Sequence, residues 1–201
     1  MCGREMSVSE ILEEVMRDKA FYDNSGGGLT VSGGEPLLQA DFTLALLRAA
    51  KENGISTAIE TSGYGDFEAI EKIAEYTDLF LWDFKESDER LHKEYTGVSN
   101  EKILENLKRL DKRKAKIVLR CPIIPSYNDR EEHFKSIGEL AEELSSVIRV
   151  EIEPYHSLGK SKADALGKDY SLSDLKSVIK EEALPWRDAV AKYTSRDVKI
   201  S

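Results

Sequence analysis

Short apolar runs alternating with longer amphipathic ones along nearly the whole chain restrict its fold more than any other feature. Residues 29–32, 56–60, 79–84, 116–124 and 147–152 read as buried strands, with 198–200 as a last short one. Apolar side chains at helical spacing fill the intervals: Phe42, Ala45, Leu46 and Ala49 after Asp41, Phe67, Ile70 and Ile73 after Asp66, and Ile103, Leu104, Leu107 and Leu110 after Asn100. Phe134, Ile137, Leu140 and Ala141 continue the pattern, and Ser7 with Glu10 forms a capping box ahead of Ile11, Leu12, Val15 and Met16. Such strands need cover on both faces, so the alternation predicts an α/β fold with a parallel sheet under helices. A closed eight-unit barrel takes about 250 residues. With 201 residues in one domain, 1–201, a partial barrel and an open doubly wound sheet both remain open. Pro185 is expected to interrupt a helical tail, because it lacks an amide hydrogen.

Charge and cysteine content exclude several function classes. Net charge is −9 and the basic residues are scattered, so no nucleic-acid partner is expected. The densest basic run, Lys108 to Lys116, reads as a solvated helix end. No apolar run reaches the ~18 residues of a membrane span. Met1 to Met6 show no signal-peptide pattern, so no membrane partner and a cytoplasmic location are expected. Two cysteines, Cys2 and Cys121, cannot by themselves form a four-cysteine metal or iron–sulfur site. Cys121 lies in an apolar run and reads as core. His92 and His133 sit among charged residues and are expected to be exposed, and Trp186 is expected to pack in the core or at a hinge.

Polar and charged residues gather where each predicted strand ends. Ser32, Gly33, Gly34 and Glu35 follow the first strand, Glu60, Thr61 and Ser62 the second, and Asp83 with Lys85 the third. Arg120 comes near the end of the fourth, and Glu153, Pro154, Tyr155 and His156 follow the fifth. The carboxyl ends of parallel strands share one ligand-binding mouth, so these residues should converge. Carboxylates beside cations suit a zwitterionic ligand, whose amine and carboxylate need opposite partners. Gly33 and Gly34 allow close backbone approach.

The segments Ser-Gly-Gly-Gly-Leu-Thr-Val-Ser-Gly-Gly-Glu-Pro (25–36), Glu-Thr-Ser-Gly (60–63), Asp-Phe-Lys (83–85), Gly-Val-Ser-Asn (97–100) and Pro-Tyr-His-Ser-Leu-Gly-Lys-Ser-Lys (154–162) carry a resemblance. In this order they resemble the pyruvate formate-lyase activating enzyme family, radical S-adenosylmethionine (SAM) proteins that activate glycyl radical enzymes. The resemblance implies a partial (β/α) barrel and cleavage of SAM by a reduced 4Fe–4S cluster. The resulting 5′-deoxyadenosyl radical takes a hydrogen atom from a glycine of the partner, and a flavodoxin or ferredoxin-type reductant supplies the electron. It implies that Gly33, Gly34 and Glu35 position the methionine amine of SAM and Lys85 its carboxylate. Glu60, Thr61, Ser62 and Asp83 would belong to the SAM site, Glu60, Thr61 and Asp83 also lining a monovalent-cation site, and Arg120 and His156 would hold the nucleoside side. Glu60 is one methylene longer than the Asp of some relatives.

The family's CxxxCxxC loop, which supplies three thiolates to the cluster, has no counterpart in this sequence. The resemblance therefore implies a barrel without its first strand and a chain that does not bind the cluster or make the radical alone. It also implies an unpaired edge beside residues 29–32, open to self-association. Two other readings compete: a cluster-free module that binds SAM, a nucleoside or a partner without turnover, and a barrel enzyme using Lys85 as a Schiff-base nucleophile.

Overall fold

The computed structural model describes residues 4–157, 159, 167, 172 and 174–201. Cys2, and Leu158, Lys160, Ser161 and Lys162 of the last motif, lie outside the described residues. Among those described, six strands form one sheet: β1 Gly28–Val31, β2 Ser56–Thr61, β3 Leu79–Asp83, β4 Ile117–Ile123, β5 Val147–Pro154 and β6 Asp197–Ile200. Neighbours pair in parallel in chain order, β1 to β6. A doubly wound sheet reverses its strand order at a switch point. This one never reverses, and its two end strands have one neighbour each, so it is an open, partial barrel.

Eight helices are described: α1 Val8–Arg17, α2 Lys19–Ser25, α3 Ala40–Glu52, α4 Phe67–Ala74, α5 Glu89–Thr96, α6 Glu101–Lys112, α7 Glu131–Glu143 and α8 Leu184–Ala191. The Ser7–Glu10 capping box is present, with both reciprocal bonds made. Lys108 and Arg113 at the end of α6 pair with Glu143 and Glu71, as expected of a solvated helix end.

Two elements depart from the sequence expectation. α5 has no apolar stripe to announce it. Capping holds it instead: Leu91 N donates to Asp88 Oδ1 at 2.8 Å, and left-handed Gly97 ends it. Pro185 opens α8 rather than interrupting a helix, because a first-turn residue has no intrahelical donor to lose.

Strand side chains alternate between faces, so each strand divides its residues between two environments. Ile59, Trp82, Leu119, Cys121 and Ile152 are fully buried among the helix residues Leu47, Ile70, Ile73, Leu107, Ile137 and Ala141. Trp186 packs against the edge of this core. The residues between them turn to the opposite, polar face, where the register sets Asp83 beside Arg120 and Arg120 beside Glu151. No described helix is long and apolar enough to cross a membrane.

Past the end of β2, Gly63 turns in the left-handed region at φ 73°, and a Cβ there would meet the ring of buried Trp82. Both the dihedral and the space require glycine. Gly63→Ala should lower the unfolding free energy by about 3 kcal/mol, strain and overpacking together. Urea denaturation checks this; an unchanged midpoint would contradict the packing.

Candidate functional site

The ends of β1, β2 and β3 enclose a cavity of about 160 Å³, lined by Ser32, Gly33, Gly34, Glu35, Glu60, Thr61, Ser62, Asp83 and Lys85. Eight of the ten residues to which the resemblance gives a ligand role thus meet in one place. Gly33 has φ 143°, which L side chains rarely adopt, and carries the chain across the mouth towards Glu35.

Glu35 fastens the mouth together. Its Oε1 accepts from Thr61 Oγ1 at 2.6 Å and from Leu37 N at 3.1 Å. Its Oε2 accepts from Ser62 N at 2.9 Å and Ser62 Oγ at 2.6 Å. Four donors on one carboxylate fix the Gly33–Gly34 loop against the end of β2.

Two charge arrangements border the cavity. Lys85 Nζ lies 2.9 Å from Asp83 Oδ2, and the lysine side chain is 40% exposed. That is an ammonium in an ion pair, not the desolvated setting a Schiff-base lysine needs. Arg120 Nη1 meets Glu60 Oε2 at 2.8 Å and its Nη2 meets Glu153. Burial opposes the charge on Arg120, but Glu153 and Glu60 outweigh it and hold the guanidinium above its ordinary pKa. Burial raises Glu153 above its usual range despite the attraction of Arg120.

Arg120 belongs to the same strand-end cluster through Glu60, although it does not line this cavity. His156 follows β5, is exposed and does not line the cavity either. Of the groups expected to hold a cation, Glu60 Oε2 meets Arg120, Asp83 Oδ2 meets Lys85 and Thr61 Oγ1 donates to Glu35. Among the described residues, no group of three or more His, Cys, Asp or Glu is placed to hold a metal ion.

The expectation that His92 and His133 are exposed is overturned: they are 3% and 0% exposed. His92 Nδ1 lies 2.8 Å from Val98 O, and His133 stacks on Phe84. His133 belongs to a buried cluster around residues 85–88 that the sequence did not single out. Glu86, 1% exposed, takes both guanidinium nitrogens of Arg130 at 2.9 and 2.6 Å and the Asp88 amide at 2.8 Å. Ser87 N donates to His133 Nδ1 at 3.2 Å, and Asn100 Nδ2 donates to the Glu86 and Ser87 carbonyls. Asn128 Nδ2 donates to Lys85 O at 2.8 Å. Burial raises the Glu86 carboxyl, but Arg130 and the Asp88 amide outweigh it and hold it below the usual range. The sequence signals were Asn100, in the Gly-Val-Ser-Asn segment, and the Asn-Asp pair at 128–129, a polar turn soon after Pro125.

Comparison with known proteins places this geometry. Residues 2–137 match the model of the Radical SAM superfamily. The chain is 43% identical over 176 residues to the (2S)-3-sulfopropanediol dehydratase activating enzyme of Klebsiella oxytoca, covering 87% of this chain and 56% of that protein. It is 38% identical over 191 residues to the pyruvate formate-lyase-activating enzyme of Clostridium pasteurianum, covering 95% and 78%. It spans 56 to 60% of the length of the first three curated relatives it matches. In fold it is similar to a domain of a Bacteroides vulgatus pyruvate-formate lyase-activating enzyme (TM-score 0.71, 24% identity, 87% of this chain and 99% of that one). It is also similar to Streptococcus suis SuiB bound to S-adenosylmethionine (TM-score 0.70, 18% identity, 98% and 42%).

The buried cluster makes stability depend on pH. Burial, opposed by Glu86 and reinforced by Arg130, lowers the His133 pKa from 6.5 to about 4. Between those values the unfolded chain binds more protons than the folded one, so stability falls as pH drops through that window. The depressed Glu86 carboxyl acts in the same direction, its contribution being lost as pH falls through its folded value. Urea unfolding from pH 6.5 towards 4 should show this decline, with a shallower slope in His133→Gln. An equal slope in the variant would contradict it.

Proposed function

The chain belongs to the radical SAM superfamily and, within it, to the family of glycyl-radical-enzyme activating enzymes; from that premise we propose that it is the SAM-binding body of such an activator. The observation that carries the reading is the single cavity in which Gly33, Gly34, Glu35, Asp83 and Lys85 meet. SAM supplies, when bound and reductively cleaved, the 5′-deoxyadenosyl radical of this family's chemistry. The residues fit its amino-acid end. Lys85 offers an ammonium to the carboxylate, and the loop from Gly33 to Glu35 offers backbone carbonyls and an anchored carboxylate to the amine. Asp83 holds Lys85 in place for an incoming anion, and Arg120, held between Glu60 and Glu153, extends the polar wall beside it.

The iron–sulfur cluster does not fit the residues of this span. The chain has two cysteines, and Cys121 is fully buried in the core with its thiol pushed well up by burial. The partner that fits the reading is a glycyl radical enzyme, with a flavodoxin or ferredoxin-type protein as reductant.

Calorimetric titration with SAM and with 5′-methylthioadenosine, which lacks the methionine amino and carboxyl groups, tests the assignment. SAM should bind the chain more tightly. Lys85→Met should weaken SAM by about 10- to 100-fold, the value of a charge-assisted hydrogen bond, and leave methylthioadenosine unchanged. Equal affinity for the two ligands, or no effect of Lys85→Met, would overturn the reading.

A further inference from the structure

We infer that Asn128 is a positioning residue for Lys85: its carboxamide bridges the strand ends where the β3–β4 ladder lacks a donor, and so decides which cavity the ammonium serves. The inference rests on the reading of Lys85 as the group that meets the SAM carboxylate.

The ladder shows why a bridge is needed. Phe80 N donates to Lys116 O at 2.9 Å and Phe84 N to Arg120 O at 2.7 Å, so alternate residues of this part of β4 turn their backbone groups towards β3. The next residue on that side is Pro122, which has no amide hydrogen. Ladder bonding therefore weakens one residue before the lysine that matters.

The Asn128 carboxamide bridges the two strand ends just beyond that gap. Its Nδ2 donates to Lys85 O and to Pro122 O, both at 2.8 Å, and its Oδ1 accepts from Ile124 N at 2.7 Å. Two carbonyls and one amide as partners admit only this orientation of the carboxamide. The residue is 4% exposed, so no water competes for these bonds from bulk solvent. On the far side of Lys85, the Glu86–Arg130 pair and Asn100 hold the following backbone.

The consequence for function comes from what surrounds Lys85. It lines the polar cavity of about 160 Å³, a second cavity of about 300 Å³ beside Tyr64 and Val98, and a third of about 560 Å³ beside Tyr95 and Tyr127. The position of the lysine's root sets which of the three its rotamers reach. With the carbonyl fixed by Asn128 and the tip drawn to Asp83, the ammonium stays with the polar cavity. Functional side chains need such support to hold a productive position.

A double-mutant cycle separates positioning from plain structural support. SAM and 5′-methylthioadenosine are titrated against the unsubstituted chain, Asn128→Asp, Lys85→Met and the double variant. Asn128→Asp should weaken SAM about tenfold and leave methylthioadenosine unchanged. In the double variant SAM should bind no more weakly than in Lys85→Met, since the bridge acts through that lysine. Full SAM affinity in Asn128→Asp, or losses that add in the double variant, would overturn the inference. Should Asn128→Asp fail to fold, Asn128→Ser removes the fork without adding a charge and carries the same expectations. If the unsubstituted chain does not favour SAM and Lys85→Met changes nothing, the reading of Lys85 fails first, and the role of Asn128 falls with it.

Discussion

The two-residue period of parallel strands held in register is the constraint on which the rest of this protein depends. It sends Ile59, Trp82, Leu119, Cys121 and Ile152 under the helices, where burial drives the fold. The same period sends Glu60, Asp83, Arg120 and Glu153 to the other face. A slip of one residue would exchange the two sets, placing charge in the core and apolar side chains at the mouth. Register therefore fixes stability and chemistry together.

At the mouth, charge is organised rather than merely collected. Glu35 spends both oxygens on donors from its own loop and from the end of β2, so it acts as a fastener before it acts on a ligand. Arg120 is shared between Glu60 and Glu153, and Lys85 leans on Asp83. An anionic group entering beside Lys85 meets a cation whose position is already set, which reduces the ordering that binding would otherwise require.

Much of this was legible in the sequence. Five apolar runs located five strands, and the charged residues after them converge as the geometry of parallel strands demands. The parts that were not legible have a local cause and a long-range one. α5 is held by Asp88 and Gly97 rather than by an apolar stripe, so periodicity passes over it. His92 and His133 stand between charged neighbours, yet both are buried, with backbone partners in Val98 O and Ser87 N. Asn128 meets Lys85 across 43 positions of sequence, and nothing local to either residue announces the bond. Bonds from side chains to distant backbone are what a single sequence conceals best.

Amide NMR of the chain titrated with SAM tests the central claim most directly, since it reports where the ligand sits without relying on turnover. Shifts concentrated at Ser32 to Glu35, Thr61, Ser62 and Lys85 are the predicted result. A response centred instead on the groove of about 430 Å³ formed by Glu71, Asp78, Arg113 and Lys116, or spread evenly over the chain, would contradict the account.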